Sequence, residues 1–199
     1  MMAPIRLPRP EARDAPRRPA PPRRAERRVI RAAQEGSREA LEELFRCYWA
    51  RAHRAAYLIV HGSSAAEDIA QEAFLAAVRT LDRFDRRRPF GPWLHRIVVN
   101  RAIDWARARA LRREASDELL PELEDLAREP SPSTAGMDEL RPALAALPPE
   151  QRAVVVLRHL LDYTPGEIGR LLELPRGTVN SRLRRGLDAL AIELTGGER

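Results

Sequence analysis

The chain has 199 residues, 44% hydrophobic but only 5% aromatic, so its cores must be built mostly from Ala, Leu, Val and Ile, a composition that favours helices. Its formal net charge is +6 and its pI about 10.7, with 35 arginines, no lysine and 29 acids, which points to a polyanionic partner. Cys47 is alone, which excludes an intramolecular disulfide. His53, His61, His95 and His159 have no cysteine or acid at metal-ligand spacing, so no metal site and no cofactor are expected. No apolar run approaches the ~20 residues of a membrane span. The basic N-terminus lacks the apolar core of a signal peptide, so a cytoplasmic location is expected.

Residues 1–28 carry nine Arg and seven Pro against three acids, which predicts a disordered basic arm. It reads either as an inert tail or as a source of nonspecific attraction to DNA. Residues 29–113 read as a helical domain. A short helix ends near Gly36, and Ser37 caps the next. Leu41, Leu44, Phe45, Tyr48, Ala52, Ala55 and Ile59 give that helix an apolar stripe, and Gly62 is expected to end it. Ser64 and Glu67 form a capping-box pattern for a third helix, whose stripe is Ile69, Ala73, Phe74, Ala77, Val78 and Leu81. The run Arg86-Arg87-Arg88-Pro89-Phe90-Gly91 makes a basic loop, and Pro92 suits the first turn of a fourth helix reaching about Arg112.

Residues 114–136 hold seven acids and one Arg, broken by Pro121, Pro130, Pro132 and Gly136, the composition of a flexible acidic linker. Residues 137–199 read as a second helical domain. Pro148 and Pro149 start a helix carrying Val154, Val155, Leu157, Leu160 and Leu161. Thr164, Pro165 and Glu167 start a short one, with Ile168, Leu171 and Leu172 inward. After a turn at Glu173–Pro175, a last helix runs from near Arg176 to about Leu194. No segment alternates with period two, so the fold class expected is all-α: two small helical domains joined by a flexible linker.

Two short helices joined by a tight turn, the second one basic, form a helix-turn-helix pattern. Val179, Leu183, Leu187, Leu190 and Leu194 share one side of the last helix. Thr178, Ser181, Arg184 and Arg185 fall opposite, with Asn180 and Arg182 on the flanks. Residues 175–186 hold four Arg, Arg176 included, and no acid. Arginine grips phosphate or reads guanine, and Asn and Ser read base edges or phosphates. Residues 83–113 contain ten Arg and two acids. Arg87, Arg88, Phe90, Trp93, Arg96 and Asn100 lie in that field, where rings stack on unpaired bases while cations hold the backbone. Core packing is the other reading of Phe90 and Trp93, and for Trp93 the two readings are compatible. Glu67, Asp68, Gln71 and Glu72 form an acidic-polar strip. It would repel DNA, so it points to a protein partner if it is more than a solvated face.

Three segments resemble the extracytoplasmic-function (ECF) sigma factors of bacterial RNA polymerase. Ala66-Glu67-Asp68-Ile69-Ala70-Gln71-Glu72-Ala73-Phe74-Leu75 resembles their region 2.2. Phe90-Gly91-Pro92-Trp93-Leu94-His95-Arg96-Ile97-Val98-Val99-Asn100 resembles region 2.3. Leu147-Pro148-Pro149-Glu150-Gln151-Arg152, through Gly177-Thr178-Val179-Asn180-Ser181-Arg182-Leu183, resembles region 4. The resemblance implies that Asp68, Gln71 and Glu72 dock on the clamp helices of the polymerase large subunit. It implies that the loop before the fourth helix, with Asn100, captures a flipped base at the −10 element. Extrusion of that base costs on the order of a few kcal/mol, so a pocket is required. The last helix would read the −35 element in duplex DNA, and the acidic linker would occupy the active cleft and RNA exit path. Asn180 departs from the Arg or Lys usual at its position, which is expected to alter upstream-element preference or weaken phosphate contact.

The implied partners are core RNA polymerase and promoter DNA, with no small-molecule substrate and no covalent chemistry. No nucleophile–base pair, phosphate-cradling Gly loop or metal cluster argues for an enzyme. A stand-alone helix-turn-helix regulator would need only residues 137–199 and leaves the first domain unexplained. Flexibly tethered domains are expected to bind promoters poorly without polymerase. A closed free form or an anti-sigma factor are two ways of masking the DNA surfaces.

Overall fold

The computed structural model describes residues 22–115 and 137–196, whose regular structure is entirely helical. The arm expected over 1–28 gives way to helix α1 (Arg23–Gln34) inside its boundary; the remainder, 1–21, lies outside the described residues. The helix starts early because Glu26 belongs to the core: only 4% exposed, its carboxylate accepts from the Tyr48 hydroxyl and from the Phe90 N–H at 3.3 Å. Burial, then Glu26, pushes the Tyr48 phenol far above its ordinary range, so it stays a donor. Gly36 takes a left-handed turn (φ 92°) into α2 (Arg38–Val60). Ser37 caps α2 as expected, its hydroxyl accepting from Ala40 N–H at 3.2 Å.

The stop of α2 differs from expectation. His61, not Gly62, adopts the left-handed C-cap conformation (φ 60°). Gly62 becomes the N-cap of α3 (Ser63–Thr80), which has no side-chain cap. The Ser64–Glu67 capping box therefore does not form. The helix begins at Ser63, Ser64 lies inside its first turn, and Glu67 instead accepts from Gln71 at 3.1 Å. A short 3-10 turn (Leu81–Arg83) and the basic loop lead to α4 (Phe90–Ala115). α2, the central helix of this half, packs against α1, α3 and α4. The expected linker opens with the end of α4; 116–136 lie outside the described residues.

The second half comprises α5 (Met137–Ala146), α6 (Pro149–His159), α7 (Pro165–Leu172) and α8 (Arg176–Gly196). α6 is buried without a break from Arg152 to Leu157, more than one amphipathic face would bury. It packs on α7 and α8 within its own half, and on α2 and α4 of the other. The buried apolar residues of both halves form one contiguous cluster. The two small helical domains expected from the sequence are packed closely against one another. Among the described residues, no helix is long and apolar enough to cross a membrane.

Candidate nucleic-acid and polymerase interfaces

The helix-turn-helix is built by local chemistry. Thr164 Oγ1 accepts from Glu167 N–H at 3.3 Å, and the Glu167 carboxylate accepts from Thr164 N–H at 2.9 Å, closing a capping box at the start of α7. Glu173 ends α7 in the left-handed region (φ 56°), and Leu174 N–H donates to Gly169 O at 2.9 Å. A Cβ on Gly169 would stand 2.8 Å from the carbonyl oxygen of Leu174, so only glycine lets the turn close this tightly.

On α8, Val179, Leu183 and Leu190 are buried, as the apolar stripe predicts. Leu187 and Leu194 are not: they are 41% and 45% exposed. Gly186 takes the inward place, since a Cβ there would meet Val155 Cγ2 at 2.8 Å. The true stripe is 179, 183, 186 and 190, and an apolar-residue search cannot see its third member. Opposite it, Arg176, Asn180, Arg184 and Arg185 are exposed, while Thr178, Ser181 and Arg182 are half-buried. Arg185 Nη2 donates to Ser181 Oγ at 2.7 Å. This face can offer cations, hydroxyls and an amide to a DNA groove.

In the first half, Arg86, Arg87 and Arg88 are exposed on a loop pinned by Asp85, whose carboxylate accepts from Arg87 N–H at 2.9 Å. Phe90 requires correction as a base-stacking residue. It is 2% exposed, its ring enclosed by Tyr48 at 5.0 Å, Phe84 at 5.8 Å and Trp93 at 5.4 Å. It is a core anchor with no face left for a base. Trp93 is half-buried against Phe84 at 4.6 Å, consistent with both of its readings. Asn100 is exposed. Arg96, half-buried, reaches Glu173 of the other half at 2.6 Å.

The acidic strip on α3 is not uniform. Glu67 and Gln71 are half-buried and bonded to one another, and Glu72 is paired with Arg101 at 2.8 Å. Asp68 is exposed at the edge of a groove of about 690 Å³, lined also by Ser63, Arg101, Asp104, Trp105 and Arg109. The Arg109 guanidinium lies 4.9 Å over the Trp105 ring.

Sequence reasoning missed the junction between the halves. Arg152, 8% exposed, donates to Ile59 O of α2, to Ala145 O at 2.6 Å and to Leu147 O at 2.8 Å. Burial lowers its pKa to about 10, so it stays charged at neutral pH. His95 on α4 is 4% exposed, its Nδ1 2.7 Å from the Tyr163 hydroxyl. Burial, then Arg51, lowers His95 to about 4. Burial, then Arg152 and Arg141, lowers His61 to about 3. Arg107 donates to Glu150 at 2.5 Å across the junction. Burial tends to raise the Glu150 carboxyl, but its own backbone N–H, Arg107 and Arg182 together hold it below the ordinary range. The available signal was Arg152 standing directly before the apolar run Ala153–Leu157, where an unpartnered cation is costly.

Fold and surfaces together define a two-part helical protein with a helix-turn-helix and a second, basic surface. A family model of Sigma-70 region 2 matches residues 44–112, and one of Sigma-70 region 4 matches residues 137–190. The ECF RNA polymerase sigma factor SigW of Bacillus subtilis is 30% identical over 182 residues, 83% of this chain and 94% of that one. The ECF RNA polymerase sigma factor SigM of Mycobacterium tuberculosis is 35% identical over 171 residues, 84% of each. Two solved structures share the fold. CnrH in complex with the cytosolic domain of CnrY gives a TM-score of 0.65 at 24% identity, over 88% of this chain and 99% of that one. The sigma factor RpoE in complex with the anti-sigma factor NepR from Bartonella quintana gives 0.61 at 22%, over 75% and 92%. The chain belongs to the sigma-70 family and, within it, to the ECF sigma factors.

Proposed function

We infer that this chain binds core RNA polymerase and directs it to promoters, supporting DNA melting and transcription initiation without covalent chemistry of its own. The observation that carries this reading is one body bearing three surfaces: a basic helix-turn-helix face, a basic loop beside a half-buried Trp93, and exposed Asp68 on α3. In this reading Arg176, Thr178, Asn180, Ser181, Arg182, Arg184 and Arg185 meet duplex DNA at the −35 element. Arg87, Arg88, Trp93, Arg96 and Asn100 meet the melted strand at the −10 element, with Phe90 holding Trp93 from behind. Asp68 leads the contact with the polymerase clamp helices, and Glu67, Gln71 and Glu72 support it. A stand-alone regulator would leave the first half without a role. The complex of RpoE with NepR supports an anti-sigma factor as a further partner. The proposed place of action is the cytoplasm, with the polymerase.

Two substitutions test the division of labour. Arg185→Ala is expected to reduce promoter-specific initiation by roughly tenfold, as loss of one good base or phosphate contact does. Its affinity for core polymerase should not change. Asp68→Ala is expected to weaken core binding by roughly tenfold, with folding unaffected because the side chain is exposed. Core affinity measured by fluorescence anisotropy separates the two. Equal affinity for wild type and Asp68→Ala removes the assignment of the strip.

A further inference from the structure

One arginine assigned to DNA sits against a carboxylate of this same chain. Arg96, on the −10 side, pairs across the junction with Glu173 at 2.6 Å. A second ion pair, Arg107 of α4 with Glu150 at 2.5 Å, crosses the same junction. Glu173 occupies the left-handed C-cap of α7, where glycine or asparagine suits the backbone better. Local backbone preference therefore does not explain a glutamate there; its carboxylate contact does. Glu150 opens α6, where the helix N-terminus favours a negative charge. Carboxylate and phosphate offer arginine the same charge-assisted hydrogen bonds. An arginine held by one is not free for the other.

We propose that Glu173 is a built-in stand-in for DNA phosphate, which together with the Arg107–Glu150 pair holds the two halves closed and must be displaced when promoter DNA binds. The proposal rests on the DNA assignment of Arg96 made above. It gives the closed body a specific consequence. DNA and the junction compete for the Arg96 guanidinium, so the free protein binds DNA more weakly than its arginines alone would allow.

The test uses the full chain with Glu150→Gln and Glu173→Gln combined, and Glu173→Gln alone, whose exposed side chain leaves the core untouched. A control, Glu39→Gln with Asp82→Asn, removes two exposed charges elsewhere. Three quantities are read: radius of gyration by X-ray scattering, affinity of the free protein for a duplex promoter fragment, and run-off transcription with core polymerase. The double variant is expected to expand and to bind DNA roughly three- to tenfold more tightly than the control, the scale of two partly exposed ion pairs. Glu173→Gln alone is expected to give a smaller gain of the same sign. Transcripts should persist in all variants. DNA affinity equal to the control's, with transcripts intact, overturns the stand-in role alone. Absence of transcripts with the wild-type protein overturns the sigma reading and this proposal with it.

Discussion

Arg152→Ala is expected to lower the free energy of unfolding by about 3–5 kcal/mol, the largest single effect at the junction. Its guanidinium serves carbonyls at two helix C-termini. Ile59 lies in the last turn of α2, while Ala145 lies in the last turn of α5 and Leu147 follows that helix. Those are carbonyls that no helical N–H can satisfy, and they sit where the helix dipole favours a cation. Alanine would orphan them beside buried apolar residues and leave a cavity. Arg152→Met separates the causes by restoring much of the volume without the donors. Urea unfolding should place Met well below wild type and near Ala. A methionine variant as stable as wild type would mean that Arg152 contributes packing alone. Arg152→Lys should fall between, because a single ammonium cannot reproduce the planar fork of a guanidinium.

Acidification from pH 7 to pH 5 is expected to cost about 2 kcal/mol of stability for each of His61 and His95, by proton linkage. Burial holds both neutral in the folded chain, down to about pH 3 for His61 and about pH 4 for His95. In the unfolded chain each takes up a proton near the ordinary imidazole value of about 6.5. The unfolded state thus binds more protons below that value, so stability is complete above it and falls as pH drops towards the folded values. The lowered carboxyls, such as Glu150, act only below the ordinary carboxylate range, so pH 5 to 7 isolates the histidines. Urea midpoints across this window should fall steadily for wild type and about half as much for His95→Gln. A flat profile would contradict the burial of both imidazoles.

Most of the helices were legible because their signals are local. Ser37 and Thr164 cap where capping chemistry places them, and the turn after α7 falls at Glu173. Signals that depend on tertiary context were not legible. Glu26 sits among prolines and arginines, and only the distant Tyr48 hydroxyl and Phe90 N–H make it a core residue. Gly186 packs inward because Val155 approaches it, while the apolar Leu187 beside it stays exposed. Phe90 looked like a stacking platform from its arginine neighbours, yet the rings that enclose it come from α2, the loop and α4. The recognition helix was readable because its wet face is set by its own periodicity. The junction was not, because Arg96–Glu173, Arg107–Glu150 and His95–Tyr163 each join residues more than 40 positions apart.

The measurement that tests the central claim most directly is run-off transcription on a pool of promoter-bearing genomic fragments, using core RNA polymerase with and without this protein. Discrete new transcripts that appear only when it is present, and that fade with Arg185→Ala, are the predicted result. No transcripts, together with tight duplex binding by the protein alone, would contradict the account and favour the stand-alone regulator.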